Sequence, residues 1–143
     1  MLEKTHFERL VSMYYAGPVN KIYQPVMEVF KGEAHIEIKV DDRFCHAAGG
    51  VHGSIYFKML DDAAYFAANS LETRFFLLTS SFTIYFIRPV SSGIIKSVGR
   101  VLNQGKNQFI CESVVYDNKE REIGRGSGVF VRSNTLLTEA DGY

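Results

Sequence analysis

Between residues 3 and 16, Phe7, Leu10, Val11, Tyr14 and Tyr15 recur at three- and four-residue spacing. That period predicts a short amphipathic helix, stopped by Gly17-Pro18. The pattern then alternates: in "AHIEIKV", residues 34–40, Ile36, Ile38 and Val40 share one face of a half-buried strand. Asp41-Asp42-Arg43 ends it and opens a glycine-containing loop. From Gly53 to about Ser70 the chain carries good helix formers and no proline, so a long helix is expected. "TSSFTIYFIRP", "GIIKSVGRVLN", "QFICESVVYD" and "EIGRGSGVFVR" then read as strands joined by short, turn-rich links. Links this short predict neighbouring antiparallel strands. The closing "SNTLLTEADGY" reads as a partly ordered tail.

A sheet with one apolar face needs a cover, and the long helix is the only such element on offer. The expected fold is therefore α+β, a central helix wrapped by a five-stranded antiparallel sheet, with an extra N-terminal helix. All 143 residues fit a single domain, with 1–20 as N-terminal helix and linker and 133–143 as tail.

Placed at about 100° per residue, Ile55, Tyr56, Met59, Leu60, Ala63, Ala64, Phe66 and Ala67 form a broad apolar arc. Lys58, Asp62, Tyr65 and Asn69 fill the opposite side, where Asp62 is expected to make a solvated pair with Lys58. Asp61 falls instead at the edge of the arc, beside Phe57, Ala64 and Ala68. A carboxylate there is partly desolvated, which raises its pKa and suits it to chemistry; the competing reading is a plain surface charge. Gly53 opens the helix, where backbone N–H groups lack partners and the dipole is positive. Without a side chain it lets a carbonyl oxygen approach, as in an oxyanion hole, although Gly49, Gly50 and Gly53 also suit a simple turn. Eight residues separate Gly53 from Asp61, about 12 Å along a helix. One carbonyl carbon cannot lie close to both in one chain, so if they cooperate, two copies meeting about a two-fold axis must share each site.

Composition limits the partners. Lys and Arg balance Asp and Glu at 16 each, so neither nucleic acid nor a membrane surface is expected. No stretch approaches the roughly 20 apolar residues of a membrane span, and "MLEKTHFERL" lacks a signal-peptide pattern, so a cytoplasmic location is expected. Cys45 and Cys111 stand far apart and read as reduced thiols. Cys45, His46, His52 and Asp61 are metal-binding residue types without a recurrent local spacing, so no metal is expected.

The segment His46-x5-His52-Gly53-x7-Asp61, followed by "TSSFTIYFIRPV" and "GRVLNQGKNQFICESVVYDNKEREIGRGSGVF", resembles the hotdog-fold acyl-CoA thioesterases of the PaaI-like, phenylacetic acid degradation-related superfamily. The resemblance covers roughly residues 40–132. It implies a homodimer with active sites at the interface, leaving a dimer of dimers open, and hydrolysis of an acyl-CoA to free acid and CoA, with no cofactor beyond the CoA of the substrate. By motif position, Gly53 polarises the thioester carbonyl and His52 shapes its loop. Asp61 of the partner subunit acts as general base or nucleophile, and Thr79 positions the attacking water. Arg88, Lys96, Arg100 and Lys106 are candidates for the CoA phosphates. His46 stands where the family usually carries Asn or Gln, and Ser54 where it usually carries a second glycine; Ser54 either bonds at the helix start or narrows the substrate site. A hotdog hydratase or dehydratase and a non-catalytic acyl-CoA-binding protein are the alternatives, and the acyl group is left open.

Overall fold

The computed structural model describes residues 4–143. Helix α1 (His6–Ala16) begins at a capping box, with the Thr5 side chain accepting from Glu8 N–H and Glu8 reaching back to Thr5 N–H. The helix thus starts later than expected, and Glu3 lies outside the described residues. Gly17-Pro18 ends it as expected, and an unanticipated single turn, α2 (Asn20–Tyr23), folds back behind it. Strands β1 (Val26–Phe30) and β2 (Glu33–Lys39) form a hairpin about Gly32, whose φ of 73° suits a residue without Cβ. The long helix α3 spans Gly53–Asn69, and β3 (Phe75–Phe86), β4 (Ile94–Gln104), β5 (Gln108–Tyr116) and β6 (Glu122–Leu136) follow.

These strands make one antiparallel sheet of six, in the order β1-β2-β4-β5-β6-β3, curved around α3. It is the hotdog arrangement, with one strand more than the five expected. The additional strand is β1, whose sequence VMEVF puts apolar residues on both faces: Met27 is buried while Val26 and Phe30 are exposed. No clean alternation marks such a strand. The order also corrects the expectation of sequential neighbours. β3 pairs only with β6 at the sheet edge, and residues 87–93 carry the chain back to β4 beside β2. That crossing is stitched by Ile87 N–H and Arg88 N–H to Ile123 O, and by Val51 N–H to Val90 O.

The tail is the third correction. β6 runs on to Leu136, Leu137 is fully buried and donates its N–H to Arg74 O, and Tyr143 OH lies 2.7 Å from His6 Nδ1. Its apolar residues have a surface to cover, which a window of sequence does not show.

Helix α3 and the sheet meet at close range. Ala63, Ala64, Ala67 and Ala68 are fully buried, and a Cβ on Gly99 of β4 would lie 2.2 Å from the Ala63 carbonyl carbon. Ser97 and Ser113 donate hydroxyl protons to Met59 O and Leu60 O, each at 2.7 Å, so polar groups at this contact are matched. Asn69, expected on the outer side of the helix, is buried, its amide donating to Glu72 O at 3.0 Å. The alanine stripe leaves no room for growth on the facing strand. Gly99→Ala is expected to lower unfolding stability by about 1–3 kcal/mol, measured by urea denaturation. An unchanged midpoint would mean the helix can lift freely from the sheet.

Candidate active site

The loop before α3 is built from short-range bonds. Cys45 bridges Val51, His46 N–H donates to Gly50 O at 2.8 Å, and Ala48 N–H donates to His46 Nδ1 at 3.1 Å. The His46 ring lies over Gly50, where a Cβ would come within 2.9 Å of Nε2. His52 is the N-cap of α3: its Nδ1 accepts from Ser54 N–H at 3.0 Å, with Ser54 Oγ 2.8 Å from the same nitrogen. Ser54 thus anchors the helix start. The Gly53 N–H takes no partner among the described residues, and Phe86 packs so closely that a Cβ on Gly53 would lie 3.0 Å from its ring. His46, Gly53, Tyr56, Phe86 and Arg88 share a cavity of about 400 Å³, walled by the 87–93 crossing.

Asp61 opens elsewhere, into a cavity of about 440 Å³ between α3, β3 and the α1–α2 turn. Thr79 donates its hydroxyl proton to Asp61 Oδ1 at 2.9 Å. Thr79 lies two residues after buried Leu77 and so faces the helix, and the register of β3 against β6 slips just beyond it, between Thr79 and Ser81. Burial pushes the Asp61 carboxyl up to about 6; the neighbouring Asp62 charge adds to this, and Thr79 and Lys58 oppose it. Asp62, one residue on, has a different environment. Its Oδ2 accepts from Lys58 Nζ at 2.5 Å and from Tyr14 OH at 2.7 Å, and the Lys58 ammonium lies 5.3 Å from the Tyr14 and Tyr23 ring centroids. The Lys58–Asp62 pair exists as expected but is not solvated: its side chains are 14% and 17% exposed, beneath the N-terminal helices. Tyr14 had no signal beyond its place on an apolar stripe.

The basic candidates separate. Arg88 is exposed beside the Gly53 cavity. Lys96 and Arg100, on the sheet face turned away from α3, are engaged by Glu37 at 2.8 Å and Glu33 at 2.6 Å. Lys106 sits in the β4–β5 turn, its carbonyl accepting from Arg132. Among the described residues no group of three or more His, Cys, Asp or Glu is placed to hold a metal, and no helix is long and apolar enough to cross a membrane. Cys45 and Cys111 are unpaired.

A family model described as "Thioesterase superfamily" matches residues 48–123. A protein of Saccharolobus solfataricus named "Putative esterase SSO1253" is 23% identical over 101 residues, 71% of this chain and 67% of that protein. The PaaI protein of the phenylacetic acid degradation operon of E. coli superposes with a TM-score of 0.84 at 20% identity, covering 92% of this chain and 95% of its own. A thioesterase family protein from Silicibacter pomeroyi gives 0.83 at 19% identity, over 89% and 97%. The matched residues 48–123 hold Gly53, Asp61 and Thr79 together, on the helix and strand just described, and the chain belongs to the thioesterase superfamily of hotdog proteins.

Proposed function

We propose that this protein hydrolyses an acyl-CoA thioester to the free acid and CoA, as a homodimer in which each site joins Gly53 of one protomer to Asp61 of the partner subunit. The carrying observation is that the two groups open into separate cavities of one chain, about 12 Å apart along α3. Gly53, Phe57, Asp61 and Tyr65 lie at intervals of four residues, on one stripe of the helix. Phe57, midway between the two functional groups, is 42% exposed, and the edge strand β3 exposes Leu78, Tyr85 and Phe86 beside it. An unpaired apolar edge favours a covering partner. Two copies meeting in antiparallel fashion about Phe57 cover that edge and set Gly53 against Asp61 twice.

In that arrangement the Gly53 N–H, at the positive end of the α3 dipole, stabilises charge developing on the thioester oxygen. Asp61, pushed up to about 6, is ionised at neutral pH. It either takes a proton from water or attacks the carbonyl to give an anhydride that water then opens. Thr79 orients the carboxylate and the water, while His52 and His46 hold the loop that presents Gly53. Arg88 meets a CoA phosphate at the cavity mouth, and no further cofactor is required.

Thiol release from acyl-CoA tests this directly. Asp61→Asn is expected to lower kcat/KM by about 10²–10⁴-fold. Gly53→Pro, which deletes the N–H at the first helical position and makes the Phe86 ring shift to admit its carbons, is expected to lower it by about 10²–10³-fold. Mixing the two variants with subunit exchange should restore about a quarter of wild-type activity, since half the dimers are mixed and each holds one intact site. Wild-type turnover in Asp61→Asn would sink the chemical assignment, and no recovery after verified exchange would sink the shared site.

The pH dependence follows from the same carboxylate. Because the reacting form is ionised, kcat/KM should fall about tenfold per pH unit below about 6 and be level above it. A flat profile from pH 4.5 to 7 would remove Asp61 from the rate-determining chemistry.

Stability carries the opposite sign. The folded pKa lies above the ordinary value of 3.8, so the native carboxyl holds a proton that the unfolded chain releases between about pH 4 and 6, and stability is lost as pH rises through that window. Asp61→Asn is therefore expected to match wild type at pH 4 and exceed it by about 1–2 kcal/mol at pH 7.5, read from denaturant midpoints. Equal stability at both pH values would contradict the desolvation of Asp61.

A further inference from the structure

The Asp61 cavity has a wall outside the segment that matches the superfamily. Residues 48–123 supply α3 and the β3 side, whereas Met13, Tyr14 and the Gly17-Pro18-Val19 turn close the opposite side. At about 440 Å³ the space is of small-molecule size. Tyr65, Phe66 and Leu78 continue the apolar lining, and Tyr14 packs edge-on against Phe66 with centroids 4.9 Å apart. Charge on the walls is predominantly acidic. Asp61, Asp62 and Asp141 line the cavity, and its single lysine, Lys58, is bound to Asp62. An acyl group carrying its own carboxylate finds two unpaired acids, Asp61 and Asp141, and among the described residues no free cation on the lining. An uncharged apolar group finds hydrophobic cover directly beside Asp61.

The wall is held by specific bonds rather than by packing alone. Tyr14 OH and Lys58 Nζ converge on one oxygen of Asp62, tying α1 to α3, and Lys58 also faces the Tyr23 ring of α2. Asn20 donates to Tyr14 O at 2.6 Å and so fixes the turn between the two helices. The opposite cavity, with Gly53 and Arg88, is left for the CoA side of the thioester.

We infer that the α1–α2 hairpin is the selectivity wall for the acyl group, latched by Tyr14, Asp62 and Lys58, and that it directs the enzyme to uncharged apolar acyl groups over acetyl and over dicarboxylic ones. This rests on the thioesterase reading above. Each methylene moved from water into the cavity favours binding by about fourfold.

The test compares acetyl-, hexanoyl-, phenylacetyl- and succinyl-CoA in wild type, Val19→Trp and Tyr14→Phe, by kcat/KM. Dissociation constants for the same four esters are measured with each change placed on the Asp61→Asn protein, where turnover is suppressed. In wild type, hexanoyl- and phenylacetyl-CoA are expected to exceed acetyl-CoA at least about tenfold, with succinyl-CoA no better than acetyl-CoA. Val19→Trp, placed on an exposed turn residue that lines the cavity, should cut the hexanoyl-to-acetyl ratio about tenfold, through KM rather than kcat. Tyr14→Phe keeps the ring and loses only the bond to Asp62, and should cut the ratio about threefold. Ratios unchanged in both variants, or succinyl-CoA preferred, would overturn the wall. If wild type releases no thiol from any ester, the thioesterase reading fails, and the dissociation constants still decide whether the hairpin selects the acyl group.

Discussion

The contact between α3 and the sheet sets everything else. With Ala63 against Gly99 and the hydroxyls of Ser97 and Ser113 on the carbonyls of Met59 and Leu60, the helix has one rotation and one axial position. Rotation by one residue, about 100°, would put larger side chains where only alanine fits and leave two buried hydroxyls unmatched. Once that face is fixed, the others follow. Phe57, Asp61 and Tyr65 face β3 at the sheet edge, and Lys58 and Asp62 point at the N-terminal helices. Asp61, the proposed reactive carboxylate, and Asp62 are adjacent in sequence and are separated by that rotation alone.

Their electrostatics diverge for the same reason. Asp62 is buried with a cation and a phenol aimed at one oxygen, so its charge is matched where it sits. Asp61 is buried with a single neutral donor, Thr79, which stabilises its ionised form less than desolvation destabilises it. The Lys58 charge lowers Asp61 only weakly because it is bound to Asp62, whose own charge raises Asp61. A basic carboxylate beside a well-paired one is what the packing of α1 over Lys58 and Asp62 produces.

What the sequence discloses tracks how local the cause is. The extent of α3, its buried arc and the four later strands follow from periods within short windows, and so does the placing of Asp61 at the edge of the arc. The glycine at the helix start is legible because a helix end holds it, whereas Thr79, read as opening its strand, lies inside β3, which begins at Phe75. Three features depend on distant partners and were not legible. β1 has no single buried face until α1 and β2 flank it. β3 pairs with β6 rather than β4 because seven residues cross the end of the sheet, a route that a turn-rich sequence does not distinguish from a hairpin. Lys58 and Asp62 have the sequence of a solvated pair, and only α1 folding back makes them a buried one.

The last consequence concerns where variation can enter such a fold. The matched segment carries the helix start, the carboxylate and the β3 bulge, all constrained by the alanine contact and the ladder. The α1–α2 hairpin and the final residues reach that core by burying Leu10, Met13 and Leu137 and by bonds from Tyr14 to Asp62, Met27 N–H to Tyr15, Leu137 N–H to Arg74 O and His6 to Asn69 O, with His6 also joined to Tyr143 OH. Neither attachment hydrogen-bonds to Gly53 or Asp61. The cavity wall can therefore change size and polarity while Gly53 and Asp61 keep their positions, provided the Lys58–Asp62 charge stays matched. Loss of the hairpin would not leave the site merely wider. It would return water to Lys58, Asp62 and Asp61 together, removing the desolvation that makes Asp61 basic, so in the proposed enzyme the element that shapes the acyl pocket also helps set the reactivity of the carboxylate behind it.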